Sequence, residues 1–146
     1  MALCRTYTPS HFGLCVADLD RSMRFYCDGL GFAVGERYEL DRQIAEVDPP
    51  CDLTSQFIHN GGMTIELLAY RSPGVIGAPS TRRNQLGLTH LSFLVDDVEQ
   101  AAADLVSHGG TVLAETRSGA GDPSAVQILF VHDPDGVRVE MMTLPG

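Results

Sequence analysis

An internal repeat of one module constrains the fold of this chain more than any other feature of its sequence. Residues 11–20 align with residues 90–99, and a histidine opens both segments. Further along, residues 62–68 align with residues 136–142, and a glutamate stands at the same position of both. Self-similarity of this kind predicts two copies of one supersecondary unit that bury a shared apolar face.

Each copy is predicted to have the order strand–helix–strand–strand–strand. Apolar residues at alternate positions predict the opening strand. An aspartate then predicts the start of a helix, with Asp18 as the N-cap in the first copy and Asp96 in the second. The turn signals Gly61-Gly62 and Asp135-Gly136 predict a hairpin that leads into the last strand. The middle strands are predicted near residues 33–41, 54–60, 111–115 and 126–132.

The two copies are predicted to pack as one α+β domain, because each is too short to bury a sizeable core alone. Module one spans about residues 8–70 and module two about residues 87–144. Between them, residues 71–86 are rich in Pro, Gly, Ser and Arg and are interpreted as a linker.

Composition indicates a globular protein and disfavours several partners. Apolar residues make up 44% of the chain and charged residues 20%, which argues against disorder. A net charge of −9 disfavours nucleic acid, because phosphate binding needs clustered cations. An anionic substrate would therefore need local arginines, for which the candidates are Arg82, Arg83, Arg117 and Arg138.

The expected location is the cytoplasm. No apolar run is long enough to span a bilayer, and the N-terminus shows no secretion signal. The cysteines lack a Cys-x-x-Cys spacing and are interpreted as reduced thiols, not as a disulfide framework. They are Cys4, Cys15, Cys27 and Cys51.

The residues that point to chemistry are His11, Glu66, His90 and Glu140. A single histidine on a strand is most often structural, whereas a glutamate between apolar neighbours needs a cation or hydrogen-bond donors. Here both residue types recur at equivalent positions, on the face opposite the apolar core residues. If the modules pack with that face inward, the sequence predicts one divalent metal site. Its nitrogen and oxygen ligands suit Zn, Ni, Fe, Mn or Co, and leave positions for water or substrate.

Several motifs give the chain a resemblance to a known family. They are Phe25-Tyr26 ahead of residues 29–32, Val95-Asp96-Asp97, and residues 133–136 before Glu140. With the two histidines, they make the chain resemble the vicinal oxygen chelate superfamily, which includes glyoxalase I, methylmalonyl-CoA epimerase, bleomycin-resistance proteins and extradiol dioxygenases. The resemblance implies paired βαβββ modules that form an open, cupped mixed sheet around the metal. It also implies a homodimer, and the same four residues as metal ligands.

The resemblance favours proton transfer next to a metal-bound carbonyl, of the lyase or the isomerase and epimerase type. The substrate would be a small molecule with a carbonyl or vicinal oxygens. A carboxylate at the metal can act as the base, and Glu140 is slightly favoured over Glu66.

Three alternatives stay open. One is a non-haem iron ring-cleaving dioxygenase, which uses two histidines and one carboxylate, so that Glu66 as a fourth ligand argues against it. Another is a non-catalytic protein that sequesters a ligand, as resistance proteins do. The third is a thiol-transferring resistance enzyme.

Two further residues are predicted to contact the substrate. Arg138 shares the inward face with Glu140 and would orient an anionic group, with a structural ion pair as the alternative. Cys15 is placed in the cavity wall, with ordinary packing as the alternative and no base nearby to support a nucleophilic role.

Overall fold

The computed structural model describes residues 6–146, so Cys4 lies outside the described part of the chain. Module one begins with strand β1, ends with strand β4 and has one helix between β1 and β2. Its elements are β1 Phe12–Cys15, α1 Leu19–Met23 continued by a π-helical turn Arg24–Gly29, β2 Ala33–Leu40, β3 Asp52–Asn60 and β4 Met63–Ser72. The strand order is β1-β4-β3-β2, with β1 parallel to β4 and the other pairs antiparallel.

Module two repeats this arrangement. Its elements are β5 Leu91–Leu94, α2 Val98–Ser107, β6 Thr111–Ser118, β7 Gln127–His132 and β8 Arg138–Thr143. The strand order β5-β8-β7-β6 has the same parallel first pair. The two open, four-stranded mixed sheets confirm the predicted α+β fold of two βαβββ modules. In each sheet the first strand in sequence lies at an edge. No helix within residues 6–146 is long and apolar enough to cross a membrane.

The helix starts agree with the predicted N-cap in module one and correct it in module two. The Asp18 carboxylate accepts a hydrogen bond from the Arg21 backbone N–H at 2.9 Å, as predicted. In module two the cap is Asp97 and not Asp96. An N-cap side chain must reach the N–H groups two and three residues on, and Asp97 accepts from Glu99 and Gln100 at 2.9 and 3.0 Å.

The alternation of side chains in β4 and β8 decides which residues face the core. Ile65 and Leu67 in β4 are fully buried, as are Val139 and Met141 in β8. Successive residues of a strand point to opposite faces, so the glutamates between these pairs point away from the core. The core itself lies between the sheets and the helical segments, and includes Tyr26, Val98, Ala102 and Leu105.

The turn between β7 and β8 joins module two to module one. The Tyr26 hydroxyl donates to Asp133 Oδ2 at 2.8 Å, and this pair is buried. Asp135 forms an ion pair with Arg21 at 3.1 Å and accepts a hydrogen bond from the Ala17 backbone N–H at 3.2 Å. Burial raises the pKa of the Asp133 carboxyl, whereas the hydrogen bond from Tyr26 lowers it.

Tyr26→Phe is expected to destabilise the fold by about 1–3 kcal/mol, because Asp133 Oδ2 loses its donor in a buried position. The hydrogen bond stabilises the ionised carboxylate, so its loss raises the pKa of Asp133 further. The destabilisation should therefore be larger at pH 7 than at pH 4, where more of Asp133 is protonated. Urea unfolding at both pH values measures it.

Tyr38→Phe provides the matched control. Tyr38 is 52% exposed, and its hydroxyl has no hydrogen-bond partner within residues 6–146. The free energy of unfolding of the Tyr38→Phe variant should match that of the unchanged protein at both pH values. Equal stabilities of Tyr26→Phe and Tyr38→Phe would contradict the role given to the Tyr26–Asp133 bond.

Candidate metal site

The first half-site consists of Ser10, His11, Ser55 and Glu66. The chain enters β1 just after His11, and β1 pairs with β4 so that Gly13 lies beside Glu66. This register brings His11 Nε2 to 3.1 Å from Glu66 Oε2. The Ser55 hydroxyl donates to Glu66 Oε1 at 2.6 Å, and the Ser10 hydroxyl lies 2.7 Å from His11 Nδ1. Both side chains are thus oriented by a second contact.

The second half-site consists of Thr89, His90, Ser92 and Glu140, and repeats this geometry. His90 Nε2 lies 3.3 Å from Glu140 Oε2. The Thr89 hydroxyl lies 2.7 Å from His90 Nδ1, and the Ser92 hydroxyl donates to Glu140 Oε2 at 2.7 Å. The serine comes from a different strand than in the first half-site, so the two half-sites reach one geometry through different residues.

A phenylalanine holds the histidine ring in each half-site. Phe57 pairs with Glu66 across β3 and β4, and Phe130 pairs with Glu140 across β7 and β8. Each ring meets its histidine edge-on at a centroid distance of 5.2 Å. These aromatic residues and the hydroxyl groups were not predicted from the sequence. One more residue separates Phe130 from Glu140 than separates Phe57 from Glu66, so the two phenylalanines do not align in the sequence.

The same register reveals a second pair of equivalent histidines. His59 lies opposite Thr64 and His132 lies opposite Arg138. His59 and His132 therefore occupy equivalent positions of the two modules, which the sequence alignment did not reveal. His59 Nδ1 lies 3.0 Å from the Thr64 hydroxyl, whereas His132 Nε2 is buried without a hydrogen-bond partner among residues 6–146.

The geometry of both pairs fits a divalent cation. Metal–ligand bonds of about 2.0–2.2 Å place neighbouring nitrogen and oxygen ligands roughly 3.0–3.4 Å apart in tetrahedral or octahedral coordination. The observed distances of 3.1 and 3.3 Å lie in this range. A hydroxyl oxygen can accept the Nδ1 proton of each histidine, which leaves the Nε2 lone pair free for a metal.

The two half-sites do not come together within one chain. No group of three or more His, Cys, Asp or Glu side chains in residues 6–146 is arranged to hold a metal ion. The structure therefore unites His11 with Glu66 and His90 with Glu140, and keeps these pairs apart. Whether all four residues bind one metal stays a prediction.

The two residues predicted to contact substrate lie in different surroundings. Cys15 is exposed on β1 and lines a small cavity of about 250 Å³ with residues of the linker. Partial desolvation of the thiol and the charge of Asp135 raise the pKa of Cys15, which disfavours the reactive thiolate. Arg138 is buried, and with His90 and Ser92 it lines a larger cavity of about 550 Å³.

Comparison with known proteins agrees with the fold. The family model for the glyoxalase/bleomycin resistance protein/dioxygenase superfamily matches residues 8–141. The chain is 35% identical over 133 residues to YaeR of Escherichia coli. The aligned region covers 90% of this chain and 92% of YaeR. It is 29% identical over 138 residues to catechol-2,3-dioxygenase of Bacillus subtilis. That aligned region covers 90% of this chain but only 41% of the dioxygenase.

The chain is also similar to a third relative and to a solved structure. Mitochondrial methylmalonyl-CoA epimerase of Bos taurus is 29% identical over 137 residues, which covers 90% of this chain and 71% of the epimerase. The crystal structure of a glyoxalase family protein from Bacillus cereus superposes with a TM-score of 0.80 at 18% identity, covering 100% of this chain and 99% of that one. At that identity it supports the fold alone. The chain belongs to the glyoxalase/bleomycin resistance protein/dioxygenase superfamily.

Proposed function

We propose that the protein is a divalent-metal-dependent enzyme that transfers a proton at the carbon next to a carbonyl group, as a lyase or an isomerase. The observation that carries this proposal is the repeated half-site, in which an imidazole nitrogen and a carboxylate oxygen lie 3.1 and 3.3 Å apart at equivalent positions. Two carboxylates with two neutral imidazoles offset the charge of one divalent cation. The similarity to an epimerase supports the reaction class.

The four ligands are proposed to be His11, Glu66, His90 and Glu140. The bound metal would act as a Lewis acid that polarises the carbonyl of the substrate. Ser10 and Thr89 orient the imidazole rings through Nδ1. Residues of this kind fix the tautomer and direction of a metal-binding histidine, and their loss weakens metal affinity.

A second copy of the chain is proposed to complete the site. Each half-site supplies two ligands, and the pairs stay apart within one chain. In a homodimer, the first half-site of one protomer would lie against the second half-site of its partner, and together they would form one metal site. The free edges of β1 and β5, next to His11 and His90, are surfaces on which such pairing can occur.

Glu140 is proposed as the base. In Glu66 each carboxylate oxygen has a partner, Ser55 on Oε1 and His11 on Oε2. In Glu140 both contacts fall on Oε2, and Oε1 has no hydrogen-bond partner within residues 6–146. An oxygen without a donor is free to take a proton from the substrate, which favours Glu140 for proton abstraction.

A ring-cleaving dioxygenase is the second candidate function, because catechol-2,3-dioxygenase is among the relatives. Such an enzyme would need two histidines and one carboxylate at an iron ion. Glu66 here lies beside a histidine at nearly the same distance as Glu140 does, which supports four ligands over three. Oxygen consumption in place of proton exchange would favour the dioxygenase.

Removal of the metal is expected to abolish activity and lower the melting temperature. With free metal at roughly 100 times Kd, binding adds about 2.7 kcal/mol, equivalent to about 5–10 °C in a domain of this size. Metal analysis should find about one ion per chain. Activity is measured as incorporation of deuterium from D₂O into a panel of α-hydroxyketones and 2-oxo acids, before and after chelation.

His59→Ala is the control for metal content. His59 lies on the same sheet as the first half-site but outside the proposed ligand set. This variant should keep its metal, whereas His11→Ala and His90→Ala should lose most of it. Protein that contains no metal after growth with each candidate ion, and whose melting temperature is unaffected by chelation, would contradict the proposal.

A further inference from the structure

Arg138 is a buried cation without an anionic partner. Its relative exposure is 6%, and its side chain makes one hydrogen bond, from Nη1 to the Ser80 hydroxyl at 3.0 Å. No aspartate or glutamate within residues 6–146 forms an ion pair with it. A guanidinium group has five N–H donors, so most of its donors are unused. A buried charge of this kind is destabilising unless it is paired.

The unused donors lie beside the proposed reaction site. Arg138 lines the cavity of about 550 Å³ together with His90 and Ser92. It also precedes Glu140 by two residues in β8, so both side chains lie on the same face of the strand. An anion held by Arg138 would therefore lie close to the second half-site.

The rest of the cavity wall indicates what else the ligand carries. Phe12 and Leu14 of module one, Leu86 of the linker, and Leu88 and Val137 of module two contribute apolar side chains. A pocket with many apolar groups and few polar ones binds an apolar body and orients it by the polar contacts. This pattern fits a ligand with an apolar part and one charged end.

The first module lacks this feature. Thr64 stands at the position equivalent to Arg138, and its hydroxyl contacts His59 at 3.0 Å. In module two the linker adds another cation, because Arg83 lies over the Phe130 ring at 5.2 Å from its centroid. Phe130 in turn contacts His90. Positive charge is thus concentrated at the second half-site of a chain whose net charge is −9.

We propose that the substrate carries a carboxylate, which Arg138 binds next to the His90–Glu140 pair, with its apolar part in the adjoining cavity. This inference rests on the proposed function for the reaction and adds the substrate class. A planar guanidinium group matches a carboxylate with two parallel hydrogen bonds, which a lysine at the same place would not provide. Arg138 is thus a specificity-determining residue.

The test compares carboxylates with their neutral carboxamides on the same carbon skeleton. The probes are hexanoate and hexanamide, 3-phenylpropanoate and 3-phenylpropanamide, and 4-phenylbutanoate and 4-phenylbutanamide. Binding to the protein is measured by calorimetry, both as purified and after metal removal. The metal-free measurement excludes binding of the carboxylate to the metal, and makes the result independent of the proposed reaction.

For at least one pair, the carboxylate is expected to bind ten times more tightly than the carboxamide, with or without metal. Arg138→Met should reduce this preference to less than twofold, and Arg138→Lys should retain only part of it. Arg138→Thr introduces the residue type that stands at the equivalent position of module one, Thr64. It provides a second neutral variant if Arg138→Met does not fold. Arg117→Met is the control, because Arg117 is exposed and paired with Glu99, and should keep the full preference.

Three outcomes would overturn the inference. One is equal binding of acid and amide by the unchanged protein in every pair. Another is a preference for the acid that both neutral variants retain. A change in oligomeric state on Arg138→Met, without a change in ligand preference, would assign Arg138 to contacts between copies of the chain and would overturn it equally.

Discussion

Glu140→Gln is expected to slow deuterium incorporation into the substrate by about 10²–10⁴-fold while the protein keeps its metal. Glutamine preserves the size of the side chain and one oxygen ligand, but its amide is not a base. Because the Ser92 hydroxyl contacts only Oε2 of Glu140, the amide oxygen can keep this hydrogen bond. Metal content and kcat, measured on the same preparation, separate loss of the base from loss of the site.

Glu66→Gln is the matched comparison, because Glu66 occupies the equivalent position with both carboxylate oxygens engaged. Its exchange rate should fall by less than about tenfold, since the proposed base is intact. Glu115→Gln, at an exposed position on β6, should change neither metal content nor rate. Equal losses in Glu66→Gln and Glu140→Gln would contradict the assignment of the base to Glu140.

The faces of the strands were predictable because their period is local. Alternation in β4 and β8 placed Ile65 and Val139 in the core and the glutamates on the other face, and the structure confirms this burial. The repeat then predicted that His11, Glu66, His90 and Glu140 face one cavity. The structure brings these residues together only as two separate pairs, His11 with Glu66 and His90 with Glu140. Each of these proximities follows from one parallel strand pair.

The second contacts of the half-sites were not predictable from the repeat. Ser55 of β3 orients Glu66, but Ser92 of β5 orients Glu140. A hydroxyl group at the correct distance can come from either neighbouring strand, so the two modules conserve the hydrogen bond without conserving the position. The equivalence of Phe57 and Phe130 was not predictable either, because the spacing to the paired glutamate is one residue longer in module two.

How the modules pack together has no periodic signal in the sequence. The contacts that join them come from single residues, such as Tyr26 on Asp133 and Arg21 on Asp135. Alternation and helical spacing report which face of an element is buried, and do not report which other module covers it. The prediction that the inward faces share one cavity therefore depended on a packing that the sequence does not specify.

Heterodimers of two inactive variants are expected to regain about half of the activity of the unchanged dimer. One variant lacks the first half-site ligands, His11→Ala with Glu66→Ala, and the other lacks the second, His90→Ala with Glu140→Ala. In a twofold dimer with shared sites, such a pair has one site with all four ligands and one with none. Co-expression with two affinity tags and tandem purification isolates the heterodimer, and metal analysis should find about one ion per dimer.

The complementary heterodimer distinguishes shared sites from sites within one chain. It pairs an unchanged protomer with one in which all four ligands are replaced by alanine. With shared sites, each site of this dimer retains only two ligands, so both metal and activity should be almost absent. With sites inside single chains, the unchanged protomer would keep its own site and the dimer about half of its activity, whereas the first heterodimer would be inactive. Shared sites thus predict activity in the first heterodimer and almost none in the second, and sites within one chain predict the reverse. Loss of folding in one variant cannot produce the activity expected of the first heterodimer with shared sites.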